Sequence, residues 1–152
     1  MKVCIGSDHA GFALKESAKK WLQGWGYEVE DFGPFSEDPV DYPDFARKVA
    51  AAVARGDYAR GILICGTGIG MSIAANKVRG VRAALCHDVF SAKATRQHND
   101  SNVLTMGSRV IGPGLAQEIT RTWLAEGYEG GRHEARVKKI TTLEDEMLTT
   151  KC

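Results

Sequence analysis

The apolar positions of the chain alternate between two periods. Val3-Cys4-Ile5 is a short apolar run that gives way to Gly6-Ser7-Asp8-His9. Leu14, Ala18, Trp21, Leu22 and Trp25 then recur at helical spacing, and Gly26 supplies a stop. From Tyr27 to Phe32 the pattern alternates, and its charges predict a strand near a sheet edge. Gly33 to Pro43 reads as a loop, with prolines at 34, 39 and 43. An alanine-rich helix is predicted over about Asp44 to Arg55. Further strands are predicted at Ile62–Cys65, Val81–Cys86 and Val103–Met106, the last ended by Gly107. Further helices are predicted from near Gly70, from Val89 to about His98, through Leu115, Ile119 and Trp123, and over about 132–148.

Strands separated by crossovers long enough for a parallel return predict an α/β fold. The expected architecture is a three-layer αβα sandwich around a five-stranded parallel sheet of Rossmann or flavodoxin-like type. No repeat, low-complexity tract or linker divides it, so residues 1–152 are expected to form a single domain. Ligands of such sheets sit beyond the carboxyl ends of the strands. Four predicted strand ends carry polar chemistry: Asp8-His9, Cys65-Gly66-Thr67, His87-Asp88 and Ser108-Arg109.

Composition narrows the function classes. A formal net charge of +1 gives no general attraction to nucleic acid or to an anionic membrane. No apolar run approaches the ~20 residues of a membrane span, and nothing resembles a signal peptide. The four cysteines form neither a CxxC pair nor zinc-like spacing, so free thiols in a reducing cytoplasm are expected. Cys4 and Cys86 fall in strands and read as core, and Cys152 is terminal and expected to be mobile.

Cys65 differs by its context. The stretch "GILICGTGIGMSIAANK" carries an apolar strand to the thiol and then places Gly66, Gly68 and Gly70 before a helix-like segment. Backbone N–H groups of such a turn converge on one spot where negative charge is favoured. The spacing excludes familiar uses. Met71 stands where a dinucleotide fingerprint needs its third glycine and where a C-x5-R phosphatase loop needs arginine, and no P-loop lysine follows. What remains is an anion hole beside a thiol, with Thr67 in reach of sulfur or ligand. The arrangement suits either acyl transfer through a covalent intermediate or proton abstraction beside a carbonyl. The plainer alternative is a buried strand end followed by a tight turn.

Other candidates stay open on their residues alone. Asp8 in "DHAG" could touch ligand or cap a helix, and His98 in "TRQHNDSN" could be catalytic or merely exposed. Arg132 and Arg136 would share one helical face suited to phosphate, or belong to a solvated basic face with Lys138 and Lys139. His87-Asp88 looks ligand-like after its strand or only caps the next helix at Asp88, and both stay outside the catalytic set. His133 would point to a different helix face from Arg132 and is left out.

"GSDHAGFALK", "DYPDFA", "GILICGTGIGMSIAANK", "RQHNDSNVLTMGSRVIG" and "YEGGRHEARV" occur in this order. Together they resemble the sugar-phosphate isomerase family of ribose-5-phosphate isomerase B, which also includes galactose- and allose-6-phosphate isomerases. The resemblance implies an aldose–ketose isomerase working through an enediolate, with no metal or cofactor. On that resemblance Cys65 is the base. Gly66, Thr67, Gly68, Ile69 and Gly70 bind the enediolate oxygens, and His98 opens the furanose ring. Asp8 meets the substrate hydroxyls, and His9, Asn99, Arg109, Arg132 and Arg136 position sugar and phosphate. A thiol at 65 with Met71, not glutamate, places the chain in the family's cysteine branch. The resemblance also implies a homodimer, or a higher oligomer, with a shared active site. The expectation is that Cys65 and His98 come from one subunit and the Arg132/Arg136 helix from the other. Alternatives are a six-carbon aldose 6-phosphate isomerase and a flavodoxin-like nucleotide-binding module.

Overall fold

The computed structural model describes residues 1–149, and Cys152 lies outside them. The elements run β1 (Lys2–Ser7), α1 (Phe12–Gly24), β2 (Glu28–Asp31), α2 (Tyr42–Ala54), β3 (Arg60–Cys65), α3 (Ile69–Ala75), β4 (Ala83–Leu85), α4 (Val89–Asn99), β5 (Val103–Gly107) and α5 (Pro113–Ala125), followed by a short 3-10 turn (Gly131–His133) and α6 (Glu134–Thr149). All five strands are parallel, in the order β2-β1-β3-β5-β4. The strand β2 is an edge, as its charges predict. The last two strands exchange places relative to the flavodoxin-like order 2-1-3-4-5.

Strand alternation sorts the core into two layers. Val3, Ile5, Ile62, Ile64, Leu104 and Met106 face one way, against α1, α4 and α5. Cys4, Leu63, Cys65 and Val103 face the other, against α2 and α3. The three-layer αβα sandwich is therefore present, and Cys65 leaves the sheet on the α2/α3 side.

Of the boundaries that differ from the reading of the sequence, three have a plain physical reason. Helix α2 begins at Tyr42, because Pro43 occupies its first turn, where a missing N–H costs nothing. Strand β4 shrinks from six residues to three, since only Ala83–Leu85 pair with β5 at the sheet edge. Arg132 falls in the 3-10 turn while Arg136 lies in α6, so the two arginines do not share a single helix from 132 onward.

The carboxyl ends of the inner strands are tied together. Asp8 N donates to Ile64 O at 3.1 Å, Ser108 N to Cys65 O at 2.9 Å, and Arg109 N to Gly66 O at 3.0 Å. Ser108 Oγ adds a 2.7 Å bond to Ala10 O. The loops after β1, β3 and β5 thus form one connected rim.

Candidate active site

Cys65 ends β3 at the centre of that rim. It is 5% exposed, whereas Cys4 is 0% and Cys86 1% exposed. Burial pushes the Cys4 and Cys86 thiols up to about 12. The Cys65 Sγ accepts a hydrogen bond from Gly68 N at 3.1 Å. This bond requires the loop to double back tightly, and Gly68 does so at φ +76°. A Cβ there would lie 2.5 Å from Leu85 Cδ1 and 2.8 Å from the Met106 carbonyl carbon. Only glycine lets the loop lie against β5 in this conformation. The approach is matched from the other side, where a Cβ on Gly107 would meet the Thr67 backbone at 2.6 Å.

The remaining loop residues open toward solvent. Thr67 and Ile69 are exposed, and Thr67 Oγ1 accepts from Ile69 N at 3.3 Å. Two loop amides therefore have partners within the loop, those of Gly68 and Ile69. Gly70 packs against the Tyr42 ring, which a Cβ at 70 would meet at 2.7 Å. Arg109 passes over Gly66, its Cδ 3.5 Å from where a Cβ would stand. Asp8 is 7% exposed, and its Oδ1 accepts from Gly11 N at 2.9 Å, so it braces the turn into α1. The half-buried His9 accepts from Val40 N through Nδ1 at 3.2 Å. Asp8, His9, Gly66, Thr67, Gly68, Ile69, Gly70 and Arg109 therefore gather around Cys65. Tyr42, within the quoted "DYPDFA", joins them; a lone tyrosine at a helix start gave no chemical signal.

His87 and Asp88 serve structure at this end. His87 Nε2 accepts from Gly107 N at 3.0 Å, and burial lowers its pKa against the opposing pull of Asp88. Asp88 caps α4 by accepting from Ser91 N at 2.7 Å.

The expected pairing of Cys65 with His98 in one chain is not what the fold produces. His98 and Asn99 close α4, and α4 runs back from the carboxyl end of β4 to the amino end of β5. Asn99 O accepts from Arg82 Nε at 3.0 Å, beside the start of β4. Val103, four residues beyond Asn99, pairs with Gly61. From Gly61 to Cys65 the strand climbs roughly 13 Å. The helix between two parallel strands must return the chain from their carboxyl ends to their amino ends, so His98 and Cys65 occupy opposite ends of the sheet.

His98 instead meets the C-terminal segment. Its ring stacks on His133 at 4.2 Å between centroids, with the planes 10° apart. His133 is 5% exposed, and the Arg132 Nε faces its Nε2 at 3.5 Å. Burial lowers the His133 pKa first, and His98, Arg132 and Arg136 lower it further against Glu129. His98, Asn99, Arg132 and Arg136 thus form a second cluster, with His133 as its buried member. The helical face expected for His133 does not apply, because 131–133 is a 3-10 turn entered through Gly130 and Gly131 at positive φ. His98, Glu129 and His133 offer ligand atoms within 4.8 Å of one another. Two guanidiniums at the same spot oppose a cation there and favour an anion such as phosphate.

A thiol-bearing glycine loop and an arginine–histidine cluster frame the comparison with known proteins. Residues 3–140 match the family model described as Ribose/Galactose Isomerase.

The chain belongs to the ribose/galactose isomerase family.

Among its relatives in this family, ribose-5-phosphate isomerase B of Escherichia coli is 52% identical over 94% of this chain and 96% of that protein. The D-erythrulose-4-phosphate isomerase of Pectobacterium atrosepticum is 47% identical over 92% of this chain and 93% of its own length. Among solved structures, ribose-5-phosphate isomerase B of Clostridium thermocellum superposes with a TM-score of 0.96. It is 52% identical and covers 97% of this chain and 99% of that one. The family membership and the αβα architecture agree.

Proposed function

We propose that the chain interconverts D-ribose 5-phosphate and D-ribulose 5-phosphate. The observation that carries this reading is the Cys65 thiol at the end of a central strand, with the Gly68 amide on its sulfur at 3.1 Å. Family membership and the relatives named above support it. His98 assists opening of the furanose ring by moving a proton between the ring oxygen and O1. Cys65, as thiolate, then removes the C2 proton. The C2–H electrons form the C1–C2 double bond, and charge collects on O1 as an enediolate. Amides of the Gly66–Gly70 loop other than those of Gly68 and Ile69, which are engaged within the loop, meet that charge with the Thr67 hydroxyl, while Asp8 shuttles the proton from O2 to O1. The Cys65 thiol returns its proton to C1 and gives the ketose. A general base of this kind contributes about 10²–10⁴-fold. His9, Asn99, Arg109, Arg132 and Arg136 hold the hydroxyls and phosphate. These steps use only groups of the chain.

A five-carbon sugar phosphate spans roughly 8 Å at ordinary bond lengths. One chain cannot bring both clusters to it, because they lie at opposite ends of the sheet. The reading therefore includes a homodimer in which the loop of one subunit meets His98, Asn99, Arg132 and Arg136 of the other. This replaces the expected division, moving His98 to the arginine side. Exposed apolar side chains beside the loop, Ile69, Ile73, Leu85 and Val110, suit such a contact. We also read residues 1–152 as one domain working in the cytoplasm. Among the described residues no helix is long and apolar enough to cross a membrane.

Chain length of the sugar is the open variable, since a close relative bears a four-carbon name. The test is an isomerase assay on ribose 5-phosphate, allose 6-phosphate and erythrose 4-phosphate side by side, with chelator present. Highest kcat/KM on the pentose supports the reading, and a higher value on another sugar replaces the substrate.

A further inference from the structure

We propose that His133 is a positioning residue that holds the His98 imidazole, by stacking on it, at the angle from which it acts on the sugar ring. The proposal rests on the ring-opening role assigned to His98 above.

Three observations carry it. The two rings lie nearly parallel, 10° apart and 4.2 Å between centroids, so His133 covers one face of the half-buried His98. His133 is 5% exposed and spends its ring face on the half-buried His98, so the contact that defines its role is the stack on its neighbour. The segment bearing His133 is also clamped to α4 near the same point. Glu129 N donates to Gln97 O at 3.0 Å and Gln97 Nε2 donates to Glu126 at 2.8 Å, while within the segment itself His133 N donates to Gly130 O at 3.0 Å and closes the turn. His133 is thereby fixed to the helix turn that carries His98. Arg132 Nε faces its far nitrogen at 3.5 Å and limits rotation of the ring. A proton-transfer group loses rate when its reacting atom shifts by a fraction of an ångström, so a fixed ring plane has a direct kinetic value.

The role makes a prediction that simple structural support does not. Erythrose 4-phosphate has its O4 esterified and can form no furanose, so it presents an open aldehyde and needs no ring opening. His133→Ala is expected to lower kcat on ribose 5-phosphate about tenfold with little change in KM, while erythrose 4-phosphate stays within about twofold. If the wild type leaves the tetrose untouched, deuterium incorporation at C1 of ribulose 5-phosphate, an open-chain ketose, serves as comparator. His133→Phe restores a flat ring and is expected to recover most of the loss, whereas His133→Gln is not. If the alanine variant does not fold, the Phe and Gln variants provide the same comparison. Equal losses on cyclic and open substrates, or an unchanged kcat on ribose 5-phosphate, overturn the inference alone. Wild-type protein inactive on every sugar phosphate overturns the isomerase reading and this inference with it.

Discussion

Cys65 and Cys4 are the same chemical group, each borne on a strand, yet their surroundings differ. Cys4 is fully buried with its thiol pushed up to about 12, while Cys65, 5% exposed, ends its strand at a loop mouth with an amide on its sulfur. Cys65→Ala is expected to lower kcat by about 10³-fold, in the range of a lost general base, with a melting temperature only a few degrees lower from the lost buried sulfur contact. Activity within a few-fold of wild type would remove the base assignment. The position of Cys65 before three alternating glycines was legible in the sequence. Its hydrogen bond to Gly68 was not, because that bond depends on a left-handed residue pressed against β5.

At the scale of elements, the glycine loop is shaped by its neighbours as much as by its own residues. Gly68→Ala would place a methyl group 2.8 Å from the Met106 backbone at φ +76°. A side chain held in that region costs about 1–3 kcal/mol. The variant is expected to melt lower and to lose activity through displacement of the loop from Cys65, measured by calorimetry and kcat together. Full activity at wild-type stability would show that the loop tolerates rearrangement. The element types along the chain followed from apolar period and glycine or proline punctuation. The short β4 did not, because "VRAALC" has strand composition over six residues while the pairing partner β5 supports only three. The 3-10 turn at 131–133 also escaped, and with it the inward aim of His133.

At the scale of the molecule, the separation of the two clusters makes a strong prediction. Cys65→Ala and His98→Asn chains, each inactive alone on ribose 5-phosphate, should regain activity when unfolded and refolded together. Random pairing gives half mixed dimers with one intact site of two, or about a quarter of wild-type activity. If both residues served the same site from one chain, mixing would recover nothing. Stability also responds to pH globally. Cys4 and Cys86 have thiols raised from 9.0 to about 12, so the folded state holds these protons more tightly than the unfolded chain. Their stabilisation is complete below pH 9 and is lost as pH rises toward 12. The melting temperature should fall steeply across that window, and Cys4→Ala/Cys86→Ala should flatten the fall. An unchanged slope would place the alkaline transition elsewhere.

By itself the sequence determined the parallel α/β class, the β2 edge, the thiol-and-glycine loop and the resemblance, because these rest on local period, turn chemistry and residue order. Tertiary structure alone decided the exchange of β4 and β5, the burial of His133 and the assignment of His98 to the end opposite Cys65. Those outcomes depend on which strand pairs with which and on where each crossover helix returns the chain, contacts between distant residues that no periodicity along the chain encodes.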